Sequence, residues 1–340
     1  MAVDKLVDST QLDADLTSIA NAIRTKGGTS ASLAFPSGFV SAIGDISSGY
    51  TDKQILTGVA PSGEVNLTLS ANLPMYAICG RRNITKLTIN FGSSYGFAVS
   101  NGNGYNVTNN FNCSDYVFIG TGNKTIVSYV FYNNGTTKAT FKGSWGGLSQ
   151  NAFRGTNGMT VLDLSSSTGS IATNAFYSCN ALKKIVIRRN SVMALSNTGA
   201  FTTSSVWKNG GGGGTLYVPR RLISSYQSAS NWSTILGYSN NNIAAIEGSD
   251  FETKYADGSD CDIRYINQTL TNCTSSSTEN STTIGATYTT TIAASSGYTL
   301  DSVTVTMNGV DVTSTVYDSS TGEISIASVD GSISITATAS

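Results

Sequence analysis

Residues 174–187 read Asn174-Ala-Phe-Tyr-Ser-Cys-Asn-Ala-Leu-Lys-Lys-Ile-Val-Ile187, an Ala-Phe pair followed by an apolar strand that ends 11 residues after the phenylalanine. The arrangement recurs on both sides. Ala152-Phe153, Ala175-Phe176 and Ala200-Phe201 lie 23 and 25 residues apart, and the gap of 11 returns from Phe153 to Leu164 and from Ile78 to Ile89. Phe131-Tyr-Asn-Asn through Ala139-Thr-Phe141 and Tyr76-Ala-Ile-Cys-Gly through Lys86-Leu-Thr-Ile89 are further copies. A fixed period in the twenties marks a solenoid, because one such unit cannot bury its apolar face and must stack on its neighbours. Stacking the strands in register places Phe141, Leu164 and Ile187 in one inward ladder and Ala139, Leu162 and Ile185 in the next. Alternation then turns Thr140, Asp163 and Val186 outward, with Lys138, Val161 and Lys184 beside them.

Working outward, the solenoid is expected over residues 51–248. Two segments interrupt its period, Asn90 to Asn110 and the five glycines Gly210 to Gly214 before Leu216-Tyr-Val218. No Lys-Ser/Thr follows those glycines, so they are no phosphate loop. Pro219 to Ile235 reads as an amphipathic helix that closes the solenoid with Leu222, Tyr226 and Trp232, leaving Arg220-Arg221 in solvent. Residues 1–50 are different in kind. Asp8 or Ser9 caps a helix that ends at Lys26-Gly27-Gly28, and Leu12, Leu16, Ile19 and Ile23 form its apolar stripe. A shorter helix is expected from Phe35-Pro36. Residues 249–262 read as a polar linker with Asp250, Glu252, Asp257, Asp260 and Asp262, whose spacing fits no calcium loop. Residues 263–340 alternate as short strands around Val303, Val305 and Met307, Ile324 and Ile326, and Ile333 and Ile335. Asn308-Gly309 and Asp330-Gly331 are expected as turns of positive φ. The fold class is therefore mainly β: a short helical segment, a repeat solenoid and a C-terminal β-sandwich.

Composition narrows the chemistry. Only 12% of residues are charged and the net charge is −1, so no nucleic-acid partner is expected, and no stretch is apolar enough for membrane insertion. The chain has no histidine, which removes imidazole bases, triads and metal ligands. Cys79, Cys113, Cys179, Cys261 and Cys273 are odd in number and form no CxxC, and they read as buried core thiols. No cofactor, metal or enzymatic activity is expected. Asp115 and Asp163 are candidates for a two-carboxylate hydrolase by position only.

The repeat unit resembles the BspA-type leucine-rich repeat, N-A-F-x-x-C-x-x-L-x-x-I-x-I, which Asn174 to Ile187 matches nearly throughout. Leu216-Tyr-Val-Pro219 through Glu247 resembles the usual end of such arrays. Gly297-Tyr-Thr-Leu, Val303-Thr-Val-Thr-Met and Gly309-Val-Asp-Val-Thr resemble bacterial immunoglobulin-like modules. Asp13 to Arg24, Lys26-Gly-Gly-Thr-Ser and Phe35-Pro-Ser-Gly-Phe39 resemble a segment of tail and fibre proteins from phages of Gram-positive gut bacteria. Together these resemblances imply a phage virion protein, a tail fibre or adhesion protein located on the virion. They imply attachment to other virion proteins by the N-terminus and binding of a host-surface glycan or protein; the stripe Leu12, Leu16, Ile19 and Ile23, too short for a stable lone helix, is expected to self-associate as a trimer. The lack of a secretory signal and wall anchor favours this reading over a bacterial cell-surface adhesin. A head fibre or capsid decoration protein is the other alternative. The expected receptor-facing residues are Lys138, Thr140, Asp163, Lys184, Val186 and Tyr217. The competing site is the tip of the sandwich near Asn308-Gly309 and Asp318 to Gly322.

Overall fold

The computed structural model describes residues 9–27, 63–69, 72, 84–96, 113–132, 135–164, 169–201, 207, 213–236 and 242–340. The chain divides into two compact units, residues 1–49 and 50–340. In the first, helix α1 spans Ser9–Gly27, with the bounds its capping residues predict. Ala20 and Ile23 are buried, Leu16 is half-buried and Ile19 is 50% exposed. The side chain of Leu12 and the expected second helix lie outside the described residues.

The second unit begins with the solenoid. Strands β1 (Gly63–Thr68), β2 (Ile84–Gly92), β3 (Asp115–Ile126), β4 (Lys138–Leu148), β5 (Val161–Leu164), β6 (Lys184–Ile187), β7 (Thr215–Val218) and β8 (Ile243–Ala245) form one parallel sheet in chain order. Its register is the one the period implies. Val65, Leu87, Tyr116, Ala139, Leu162, Ile185, Leu216 and Ile243 pair in one unbroken inward ladder across all eight strands. Phe118, Phe141, Leu164 and Ile187 pair in the next. Leu216-Tyr-Val218, which the sequence suggests as the last strand, is followed by one more, because β8 adds a strand after the cap.

Opposite the sheet the repeat phenylalanines stack. Ring centroids are 4.6 Å apart for Phe131–Phe153, 5.7 Å for Phe153–Phe176 and 5.0 Å for Phe176–Phe201. Two residues before each anchor the backbone turns left-handed, at Tyr129, Asn151 and Asn174, with φ of 60°, 60° and 58°. Asparagine tolerates that region better than other side chains, which accounts for the first letter of the motif. The motif cysteine has its own role. The Cys179 thiol donates to the Phe153 carbonyl (2.9 Å), and Thr156, one coil earlier, donates its hydroxyl to the Phe131 carbonyl (2.7 Å). Each ties its coil to the anchor of the coil before. Cys113, Cys179 and Cys261 are buried free thiols and Cys273 is half-buried, whereas Cys79 lies outside the described residues.

The closing segment is two short helices, α2 (Ile223–Ser228) and α3 (Trp232–Leu236), instead of one. Tyr226 and Trp232 seal the last coil: Met193 N–H donates to the Tyr226 hydroxyl (2.9 Å) and Trp232 Nε1 donates to Met193 O (2.6 Å). Gly214 closes the glycine run because a Cβ there would meet the Trp207 ring at 2.7 Å. Its neighbours 208–212, like most of the Asn90–Asn110 insertion, lie outside the described residues.

The C-terminal module has two sheets. One orders β10 (Cys273–Ser275), β12 (Tyr288–Ala294), β16 (Glu323–Ile326) and β15 (Tyr317–Asp318); the other orders β11 (Ser281–Thr283), β9 (Ile263–Thr271), β17 (Ile333–Ala339), β13 (Leu300–Met307) and β14 (Val310–Asp311). All pairings are antiparallel except β9 with β17. Asn308-Gly309 makes the expected turn, with φ of 53° and 78°. Asp330-Gly331 does not. Gly331 has no positive φ and is needed for space, since a Cβ there would lie 2.6 Å from that of Asn308.

Candidate functional site

The outward row of the solenoid sheet pairs as Thr88, Val117, Thr140, Asp163, Val186, Tyr217 and Ala244. The face is as expected, but it is not open. Thr140, Asp163 and Val186 have no exposed surface. The segment expected as a linker covers them. Ser249 caps helix α4 (Asp250–Thr253), its hydroxyl accepting from Phe251 N–H at 3.2 Å. Phe251, Tyr255 and Cys261 then turn inward, all buried. Val186, Ile246, Phe251 and Tyr265 form a third apolar core between solenoid and module, joined by the half-buried Val161 and Tyr217. The Tyr217 and Phe251 rings meet edge to face at 4.9 Å, and the Lys184 ammonium lies 5.6 Å from the centre of the Phe251 ring. Lys138 is half-buried at the margin. The six residues expected to face a receptor thus lie in or beside an internal joint, because apolar side chains from Phe251 to Tyr265 fold back over the row.

Arg188, just past β6, holds the joint. Its Nε and one terminal nitrogen donate to the two oxygens of Asp163 at 2.8 and 2.9 Å. The remaining donors reach Phe251 O (2.7 Å), Lys254 O (2.9 Å) and Cys261 Sγ (3.3 Å). All five guanidinium N–H groups are thereby used. The plane sits 4.7 Å from the centre of the Tyr255 ring, and Asp163 also accepts from Ala256 N–H (2.9 Å). Burial alone would lower the Arg188 pKa, but the Asp163 carboxylate outweighs it and raises it above the usual arginine value. The guanidinium is charged at every accessible pH. Asp163 is committed to this pair, and Asp115 lies two strands away in a different row, so the fold does not assemble them as a carboxylate pair.

A second clasp lies toward the N-terminal strands. Asp257 Oδ2 is 3.2 Å from Lys142 Nζ and 3.9 Å from Lys86 Nζ, and Lys142 also donates to the Ser259 hydroxyl at 2.5 Å. Burial pushes the Asp257 pKa up, but the Ser259 hydroxyl and the Lys142 ammonium more than reverse this, leaving it below 3.8. Asp260 pairs with Lys254. Asp257 and Asp260 of the acidic segment are therefore paired with lysines, and among the described residues no group of three or more Cys, Asp or Glu side chains is placed to hold a metal.

Beside the closed end of the solenoid this joint leaves a hollow of about 260 Å³. Glu247 comes from the end of the solenoid, Glu252 from α4, and Asn267, Ser332, Ile333 and the Asn308-Gly309 turn from the module. Of the regions expected to bind, only the Asn308-Gly309 turn lines this hollow; none of the six outward-row residues does. Arg220 is not solvated freely as expected: its N–H donates to Glu247 Oε2 (2.8 Å) and its guanidinium to Glu247 O (3.0 Å). Arg221 donates to Asn190 O at 2.7 Å. The hollow was not foreseen. The signals for the joint were Val117, Val186 and Tyr217 in an outward row that solvent exposure would have made polar, and Phe251 in a polar stretch.

Residues 106–208 match the family model for the BspA type leucine rich repeat region, in six copies. No curated protein and no solved structure matches the chain. The leucine-rich-repeat reading therefore holds for the central coils, and their parallel ladder is its physical form.

Proposed function

We propose that this chain is a non-catalytic phage virion protein, a tail fibre or adhesion protein that attaches by residues 1–50 and presents the rest to a host surface. The observation that carries the reading is the buried joint. It joins the solenoid to the C-terminal β-module, which we read as immunoglobulin-like, through one shared apolar core within residues 50–340. A rigid scaffold gives its surface a fixed geometry at little entropic cost on binding. Several copies on one fibre then add weak contacts by avidity. The test uses the full chain, because a cut between Glu247 and Asp250 would strip the cover from Val186 and Arg188. Fluorescently labelled protein should decorate cells of a host bacterium, and antibody to the chain should label virions at the tail. Labelling of the capsid would point to a head fibre. Its occurrence on a bacterial surface without virions would replace the phage reading with that of a cellular adhesin.

A further inference from the structure

We propose that the turn face of the solenoid, at Tyr132, Arg154 and Tyr177, binds an anionic glycan of the host surface. The site rests on the host-binding reading for the source of its ligand. Each of the three residues follows an anchor phenylalanine, on successive coils. The same turn places each one: Tyr132 N–H donates to Tyr129 O, Arg154 N–H to Asn151 O and Tyr177 N–H to Asn174 O, all at 3.1 Å. Bonds between coils hold the turns together, from Phe153 N–H to Ala175 O (2.9 Å) and from Gly155 N–H to Tyr177 O (2.9 Å). The anchors are buried and the residue after each is half-exposed, so Tyr132, Arg154 and Tyr177 form an outward row. The Arg154 guanidinium lies 4.5 Å from the centre of the Tyr177 ring, and the Tyr129 and Tyr132 rings meet edge to face at 5.7 Å. None of these four side chains belongs to the apolar core of the solenoid. Tyrosine and arginine are the side chains that most often dominate binding surfaces.

The charge selects the ligand. Arg154 is the only charged residue in 127–137, 149–160 and 172–182, the segments that hold these turns. Among the described residues no carboxylate pairs with it. One of its five N–H groups reaches Asn151 Oδ1 at 3.4 Å, and the other four find no acceptor there. A cation held among neutral groups calls for an anion from outside, and the guanidinium fork matches a carboxylate or a phosphate. The rings select what carries that anion. Tyr132 and Tyr177 lie two coils apart, about 10 Å along the solenoid, which is about the span of two sugar rings in an extended chain. Tyrosine offers an apolar ring and a polar hydroxyl, the two surfaces that a sugar also has. Asn157 and Asn180 follow three residues later on the same coils, exposed, with amides suited to hydroxyls. An acidic peptide fits less well. The backbone of these turns is bonded from coil to coil and leaves no open edge for an added strand.

The experiment is isothermal titration calorimetry on the full chain at low ionic strength. Hexagalacturonate probes for a carboxylate source and maltose 1-phosphate for a phosphate source. Maltohexaose, hexaglutamate and inorganic phosphate are the controls. At least one anionic glycan should bind, at least tenfold more tightly than every control. Arg154→Gln should weaken it at least tenfold and Tyr132→Ser should weaken it measurably, with melting temperature used to confirm folding. No binding by either anionic glycan, affinity unchanged in both folded variants, or a control that binds as tightly overturns the site; hexaglutamate in that place would assign the row to a peptide. Cell labelling is measured on the same proteins. Labelling without glycan binding removes the site and leaves adhesion standing. Glycan binding without labelling does the reverse.

Discussion

Arg188 and Asp163 meet in a two-point ion pair at 2.8 and 2.9 Å with no exposed side-chain surface on either, and the pair belongs to two parts of the chain at once. Both residues sit on the solenoid. Their remaining hydrogen bonds go to the backbone of residues 251–256 and to Cys261 Sγ. The pair therefore acts as a two-sided socket for the segment that leads into the module. Its formation converts an outward sheet row into an interior.

Breaking this pair from one side should cost more than removing it. Arg188→Met leaves Asp163 buried and uncompensated, and should destabilise the second unit by about 3–5 kcal/mol in urea unfolding. Arg188→Met combined with Asp163→Leu should recover most of that. Equal losses in the single and double variants would show that the pair is not the keystone.

The anchor stack is the solenoid's main packing device. Phe176 has no exposed surface and stacks between Phe153 and Phe201 at 5.7 and 5.0 Å. Phe176→Ala should cost about 3–5 kcal/mol, read from the denaturation midpoint at unchanged slope. An unchanged midpoint would refute the stack as a source of stability.

Acid should loosen the second clasp. Asp257 titrates below 3.8 in the folded chain, so its contribution is complete above that value and is lost as pH falls through the lower folded value. Stability measured from pH 5 downward should therefore decline, and Lys142→Met should flatten that decline. A pH slope untouched by the substitution would assign the acid sensitivity elsewhere.

The Cys179 thiol is a hydrogen-bond donor between coils, and burial pushes its pKa up to about 12. It should resist alkylation in the native protein at pH 8 and react after unfolding. Cys179→Thr should be tolerated, because Thr156 makes the same contact one coil earlier, whereas Cys179→Val should lower stability by about 1–3 kcal/mol. Mass spectrometry and thermal melts check the two halves.

Ile19 on α1 is 50% exposed, an apolar side chain that oligomerisation would cover. Light scattering should report a trimer for the full chain, and a monomer for a chain lacking residues 1–46. Two monomers at micromolar concentration would end the proposal of N-terminal assembly.

The period of the Ala-Phe pairs and the 11-residue gap determined the solenoid, its strand register, its stacked anchors and the direction each strand residue faces. All of these follow from local geometry, since a strand alternates every residue and a repeat must stack on its neighbour. The strands of the C-terminal module and its Asn308-Gly309 turn were legible for the same reason. What covers a face is a different kind of fact. Alternation sends Asp163 and Val186 out of the solenoid core but says nothing of Phe251 and Tyr255, far along the chain, whose apolar rings need a surface on which to lose water. Only the tertiary structure decided that this surface is the outward row, that Arg188 is charged in an interior, and that Glu247, Asn267 and Asn308 share one hollow. Each of those facts depends on contacts between residues widely separated in sequence, which no short-range pattern encodes.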